Sequence, residues 1–126
     1  ESIIKNRYEV MASYAQSLRQ SVKAEIEILR TTNEGAAQRL SAIRKSLLRD
    51  TDHISGDVVA RVEQNIVVSP TVQKLYEMRN ELAMLWRRSS LTRDELLAHL
   101  HDWCERAEQS GIEALQRFSL QLRTYR

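Results

Sequence analysis

Three residues on one predicted helical face have the types and spacing of metal ligands. Glu95, His99 and Asp102 are separated by four and three positions, so a helix would present two carboxylates and an imidazole on the same side. One helix seldom completes such a site alone, and the Glu-x-x-His pairs of di-iron bundles are absent from this sequence. We therefore prefer a solvated helix face and assign no metal ligand.

A second group, formed by His101, Cys104 and Glu105, raises the question of thiol chemistry or a further metal site. A nucleophilic thiolate needs an accessible, electropositive setting and a base that orients it. Cys104 instead lies on an apolar stripe beside Leu100 and Trp103, which predicts a buried structural thiol. The sequence thus indicates no catalytic residue and no cofactor-binding residue.

Aromatic and basic residues are the remaining candidates for binding. Trp86 and Trp103 are interpreted as core anchors rather than as platforms for base stacking. Three basic groups could meet the phosphates of lipid or nucleic acid: Arg44, Lys45 and Arg49; Arg87 and Arg88; Arg117, Arg123 and Arg126. Because acidic residues are interspersed along the chain, a solvated surface is the preferred interpretation.

Helices must position all of these side chains. The first is predicted from an apolar stripe at steps of three and four, formed by Ile4, Tyr8, Met11, Ala15, Leu18, Val22, Ile26 and Leu29. It should end within residues 31–35. A second stripe, Ala36, Leu40, Ile43 and Leu47, follows and stops near residues 50–52.

The second half of the chain carries stronger boundary signals. A short helix is predicted over residues 57–67, and Ser69-Pro70 predicts the start of a helix that runs to about Arg88. Thr92 and Glu95 have capping-box spacing, and Ser110-Gly111 forms a left-handed helix stop. The helices on either side of that stop are expected to bury Leu96, Leu97, Leu100, Trp103, Cys104 and Ala107, then Ile112, Leu115, Phe118, Leu122 and Tyr125.

Composition agrees with a helical globular protein. Of 126 residues, 42% are hydrophobic and 29% charged, while three glycines and one proline are too few for a many-turned β fold. One cysteine excludes an internal disulfide, and no apolar run approaches the length of a membrane span. We predict an all-α, antiparallel helical bundle of about five to six helices with a long N-terminal helix. Residues 1–126 are expected to be one soluble domain, excised from a longer protein because the first residue is Glu1.

Three segments carry a family resemblance. NRYEVMASYA (residues 6–15), MRNELAMLW (78–86) and LAHLHDWCERAEQSGIEALQRFS (97–119) resemble the C-terminal extension of bacterial membrane fatty acid (acyl-CoA) desaturases. That family implies an inner-membrane, di-iron oxidoreductase of lipid metabolism. Its iron ligands lie in His-x-x-x-x-His and His-x-x-His-His boxes. His53, His99 and His101 match none of these boxes, so no catalytic or iron-binding residue is carried over.

The desaturase resemblance implies a non-catalytic tail at the cytoplasmic face of the bacterial inner membrane. Its expected role is docking or regulation. The partner would be the parent catalytic membrane domain or a second copy bound through the amphipathic helix 4–29, with contact to the membrane surface and none with nucleic acid. The di-iron centre would belong to the parent enzyme alone.

A shorter resemblance belongs to another class of protein. Trp103, Ala107, Glu108 and residues 110–118 are similar to the C-terminal end of some insertion-sequence transposases. This alternative implies association with DNA, with catalysis by acidic residues outside the chain. Because it covers less of the sequence, the desaturase tail is preferred. A free-standing helical protein-interaction domain is the third alternative.

Overall fold

Helices form nearly all of the chain that the structure describes. The computed structural model describes residues 6–49, 54–88 and 90–125, and these residues contain helices but no strand. The helices are α1 (Arg7–Thr32), α2 (Glu34–Ala42), α3 (Arg44–Leu48), α4 (Gly56–Ile66), α5 (Pro70–Arg87), α6 (Arg93–Glu108) and α7 (Glu113–Leu122). The predicted all-α helical fold is confirmed. The described residues contain seven helices rather than the predicted five to six, because the stripe from Ala36 to Leu47 is interrupted at Ile43.

The helices are grouped into two compact units. The described residues of Glu1–Ser17 and Glu77–Arg126 form one of them, here named the terminal unit. Those of Leu18–Tyr76 form the other, named the central unit. In the terminal unit α6 packs against α7, and in the central unit α4 packs against both α2 and α3. Helices α1 and α5 each contribute one part to each unit, because the boundaries fall within them.

Helix α1 buries a row of residues at strict four-residue spacing: Val10, Tyr14, Leu18, Val22 and Ile26. The predicted stripe matches this row from Leu18 to Ile26. Its start is wrong, since Tyr8 is 77% exposed and Ile4 lies outside the described residues. The steps of four and three from Ile4 to Met11 placed Tyr8 in the predicted stripe. In the structure Tyr14 is buried instead, where its ring contacts those of Trp103 and Phe118.

Two helices begin at the residues that the sequence predicted, and local hydrogen bonds cap their first turns. At α6, Thr92 Oγ1 accepts from the Glu95 amide at 3.1 Å while Glu95 Oε1 accepts from the Thr92 amide at 2.8 Å. At α5, Ser69 Oγ accepts from the Val72 amide at 3.1 Å and lies 2.8 Å from Oε1 of Glu25 in the same unit. These bonds satisfy amides that a helix start leaves without intrahelical partners. The capping box and the Ser69 cap are therefore confirmed.

Trp103 occupies the centre of the terminal unit and is fully buried. Its ring centroid lies 6.0 Å from that of Tyr14 and 5.8 Å from that of Phe118, and both pairs meet edge to face. Nε1 of Trp103 donates to the Met78 carbonyl at 2.9 Å, which ties α6 to α5. The edge-on contacts and the satisfied N–H are the favourable arrangement for a buried indole.

Most residues predicted for the core of α6 and α7 are buried, but those at the helix ends are not. Leu100, Cys104, Ala107, Leu115, Phe118 and Leu122 are buried as predicted. Four other predicted core residues are only partly buried: Leu96, Leu97, Ile112 and Tyr125. Leu96 and Leu97 lie near the start of α6, and Ile112 and Tyr125 lie outside α7.

We predict that Trp103→Ala lowers the free energy of unfolding by about 3–5 kcal/mol, because it removes a large core side chain and leaves a cavity. Urea denaturation followed by circular dichroism measures the loss. Trp86→Ala is the control, since Trp86 is only partly buried and its Nε1 has no partner among the described residues. Equal losses in the two variants would contradict the central role of Trp103.

Substitution of Gly111 and of Gly35 by alanine should change the free energy of unfolding in opposite directions. Gly111 has a φ of +77°, and a Cβ there would meet no atom within 4 Å, so Gly111→Ala should cost about 1–2 kcal/mol through backbone strain alone.

Gly35 lies within α2, where a Cβ would contact Oδ1 of Asn33 at an ordinary 3.7 Å. Gly35→Ala should therefore stabilise by about 0.4–1 kcal/mol. The same denaturation assay measures both, and a destabilised Gly35→Ala would contradict this account.

Candidate functional site

The carboxylates of the first candidate metal cluster are already engaged in α6. Glu95 closes the capping box, and the hydrogen bond from the Thr92 amide lowers the pKa of its carboxyl group. Asp102 accepts from Nε of Arg106 at 3.0 Å, and Nη1 of Arg106 lies 2.6 Å from Oε1 of Glu81. Arg106 therefore joins α6 to α5, and both carboxylates are paired with its guanidinium rather than with a metal.

An open groove of about 260 Å³ lies beside this ion-pair cluster in the terminal unit. Its lining residues are Glu81, Met84, Leu85, Arg88, His99, Asp102, Trp103 and Arg106. The structure thus places His99 and Asp102 on one groove wall, while Glu95 is not among the lining residues. Within the described residues no group of three or more His, Cys, Asp or Glu side chains is close enough to hold a metal ion. His53 lies outside the described residues.

The second candidate cluster is held in a chain of hydrogen bonds. Nη1 of Arg123 lies 3.2 Å from Nδ1 of His101, and Nε2 of His101 lies 3.3 Å from Oε2 of Glu105. A guanidinium can only donate, so a hydrogen bond between Arg123 and His101 requires Nδ1 as the acceptor. Cys104 is buried, and burial raises the pKa of its thiol. This setting disfavours the thiolate that nucleophilic chemistry requires.

Glu108, Ser119 and Arg123 form a cluster that the sequence analysis missed. The Ser119 hydroxyl lies 2.6 Å from Oε2 of Glu108 and 3.1 Å from the Cys104 carbonyl, and its single hydrogen can serve only one of them. Arg123 contacts both oxygens of the Glu108 carboxylate. Glu108 ends α6 and the other two lie in or next to α7, so sequence spacing carried no signal for this pairing.

Arg79 is a second side chain that the sequence analysis missed. It is only 6% exposed, although arginine is rarely buried. Its place between the buried Leu75 and Leu82 on α5 was a signal that could have found it, since all three fall on one helical face. Burial raises the pKa of Tyr14, and the positive charge of Arg79 acts in the opposite direction.

The three basic groups have different surroundings. Arg117 pairs with Glu113 at 2.8 Å, Arg123 pairs with Glu108, and Arg126 lies outside the described residues. Arg87 and Arg88 are exposed at the end of α5. Lys45 and Arg49 line an open surface depression of about 460 Å³, with Ser46 and Leu48, in the central unit.

We predict that Glu108 contributes stability that acid removes. Hydrogen bonds from Arg123 and Ser119 hold the pKa of Glu108 below its ordinary value of 4.5 in the folded chain. The contribution is therefore present above pH 4.5 and is lost as the pH falls from there through the lowered folded-state pKa. Glu108→Gln should lower stability at neutral pH and flatten its decline across that acidic interval. Urea denaturation at a series of pH values measures this.

Glu113→Gln is the matched control for Glu108→Gln. It removes the same charge at the start of α7, where Glu113 pairs with Arg117 and both side chains are largely exposed. Such pairs contribute little to stability, so this variant should follow the unmodified chain at every pH. Parallel curves for the unmodified chain and Glu108→Gln would contradict the prediction.

Comparison with known proteins identifies relatives of one kind. The family model that matches is described as a transposase, of the ISL3 type of DDE transposase, and it covers residues 2–126. The transposase of insertion sequence element IS1001 from Bordetella parapertussis is 26% identical over 125 residues, which are 98% of this chain. The chain spans about 30% of the length of that relative. No solved structure matches significantly.

These matches contradict the desaturase interpretation of residues 6–15, 78–86 and 97–119. The expectations of a lipid-metabolism function, a membrane catalytic partner and a place at the inner membrane are wrong with it. The expectation that the chain has no nucleic-acid partner is also wrong. The di-iron centre expected in the parent enzyme rested on the desaturase resemblance alone. Among the described residues, no helix combines the length and hydrophobicity needed to cross a bilayer.

The physical reason for the error lies in the residues that carried the resemblance. Trp103, Ala107, Leu115 and Phe118 are all buried between packed helices. The same residues also carried the alternative resemblance to insertion-sequence transposases, and the family model and the IS1001 relative support that alternative. Helix pairs of unrelated proteins place similar side chains at such buried positions, so these residues could not separate the two families. The family model, in contrast, covers the chain from residue 2 to residue 126. The chain belongs to the ISL3 family of DDE transposases.

Proposed function

We propose that this chain is a helical, non-catalytic part of an insertion-sequence transposase and that the protein acts on DNA. The observation that carries the proposal is the match of a transposase family model to residues 2–126. The relative that moves insertion sequence IS1001, by its name, matches along 98% of this chain. The part played by this chain within such a protein follows from what its polar residues do.

The acidic residues of the terminal unit support a structural role. Glu95 caps α6, Asp102 and Glu81 bind Arg106, and Glu108 binds Arg123. Each of these carboxylates is engaged with a neighbour in the fold. The described residues do not assemble the acidic cluster that metal-dependent phosphoryl chemistry would use, so we derive no catalytic step from them. Catalytic acids would come from residues outside this chain.

The experiment is a transposition assay in cells with the full-length transposase that contains this chain and a marked insertion element. Asp102→Asn keeps the shape of the side chain and removes the charge that a metal ligand would need. We expect transposition within about threefold of the unmodified level, because an exposed ion pair contributes only about 0.2–1 kcal/mol. Cys104→Ala should likewise retain activity.

Two further measurements make this assay decisive. Trp103→Ala should lower transposition in parallel with its loss of stability, which shows that the assay depends on this fold. A loss of a hundredfold or more for Asp102→Asn, with circular dichroism and protein level unchanged, would show that the chain takes part in catalysis. That result would contradict the proposed non-catalytic role.

A further inference from the structure

Arg44, Lys45 and Arg49 form a compact group of cations, here named the basic surface. They lie on α3 and directly after it, where Lys45 and Arg49 are exposed and Arg44 is half-buried. Residues 36–49 contain four basic residues and no acidic one. Asp50 and Asp52 follow this stretch directly in the sequence and lie outside the described residues, so the positive charge is concentrated within residues 36–49 themselves.

Most other cations among the described residues interact with a neighbouring group. Ion pairs join Arg30 to Glu27, Arg106 to Glu81 and Asp102, Arg117 to Glu113, and Arg123 to Glu108. Interactions are also made by Arg19, Arg79, Arg87 and Arg93. The three cations of the basic surface, by contrast, have no ion pair or side-chain hydrogen bond with any described residue. Their charge is therefore available to an external anion.

Two arginines link the helices that precede and follow the one carrying the basic surface. Arg39 donates from Nη2 to the Gln64 carbonyl at 2.9 Å and from Nε to Oδ1 of Asn65 at 3.0 Å. Arg61 donates from Nη2 to the Ala42 carbonyl at 3.2 Å. These bonds link α2 and α4 in both directions and satisfy carbonyls at their C-terminal ends. Buried Leu47 fixes α3 against the same unit, so the exposed cations stand on a supported element.

We propose that the basic surface contacts the phosphate backbone of duplex DNA. The inference rests on the proposed function, which makes DNA the polyanion that the protein meets. Lysine and arginine side chains neutralise phosphates and release condensed counterions, and this interaction requires no particular base sequence. The open depression lined by Lys45, Ser46, Leu48 and Arg49 leaves both charged groups accessible to a phosphate chain. The basic surface would therefore supply affinity and orientation rather than sequence recognition.

The test measures binding of the 126-residue chain to a fluorescently labelled DNA duplex by anisotropy at several salt concentrations. The test variant replaces Arg44, Lys45 and Arg49 with Gln. The control variant replaces Lys23, Arg30 and Arg117 with Gln, which removes the same charge from exposed sites elsewhere. Each lost phosphate contact should reduce the slope of log affinity against log salt by about 0.9, so the test variant should lose about 2.7. The control should change it far less.

Each outcome decides the proposal. A large loss of slope in the test variant alone, with helical content retained, supports it. Equal losses in both variants would mean that net charge acts without a defined surface, and absence of DNA binding by the unmodified chain at low salt would overturn the proposal directly. Binding to phosphatidylserine vesicles instead of DNA, lost in the test variant, would assign the surface to a membrane. None of these results alters the transposition assay, which judges the proposed function separately.

Discussion

Burial of Trp103 is the constraint on which the terminal unit depends. The indole contacts Tyr14 from α1 and Phe118 from α7, and its N–H reaches the Met78 carbonyl of α5. One side chain on α6 thus fixes the positions of three other helices. Because a buried N–H without a partner costs about 1–3 kcal/mol, the bond to Met78 also restricts how α5 and α6 can pack. Nonpolar contacts alone would allow several nearly equivalent arrangements.

Some charged side chains of this chain join helices, and others lie exposed on the surface. In the terminal unit, Arg106 and Arg123 form ion pairs with carboxylates and so connect α6 to α5 and α7. In the central unit, Arg39 and Arg61 close the ends of helices through carbonyl oxygens. The cations of α3 serve neither purpose. A protein with nearly balanced total charge can in this way retain a local positive surface, and duplex DNA is the polyanion that we propose for it.

Much of the helical framework was predictable, while the clusters of polar side chains were not. The Thr92–Glu95 capping box, the Ser69 cap and the Gly111 stop depend on residues within four positions of one another, so their types and order suffice. The Glu108–Arg123 pair joins residues fifteen positions apart on different helices, and nothing local indicates it. The family was also misjudged, because helical patterns of buried Leu, Ala and Trp recur in unrelated proteins.

The sequence by itself determined that the chain is helical, where several helices begin and end, and that Trp103 and Leu100 face a core. These properties follow from short-range hydrogen bonds and from periodicity within one helix. Only the tertiary structure decided that Tyr14 rather than Tyr8 is buried and which carboxylates Arg106 and Arg123 bind. The physical reason is that each of these depends on side chains contributed by other helices, whose approach is settled by packing and by the pairing of charges across distant positions.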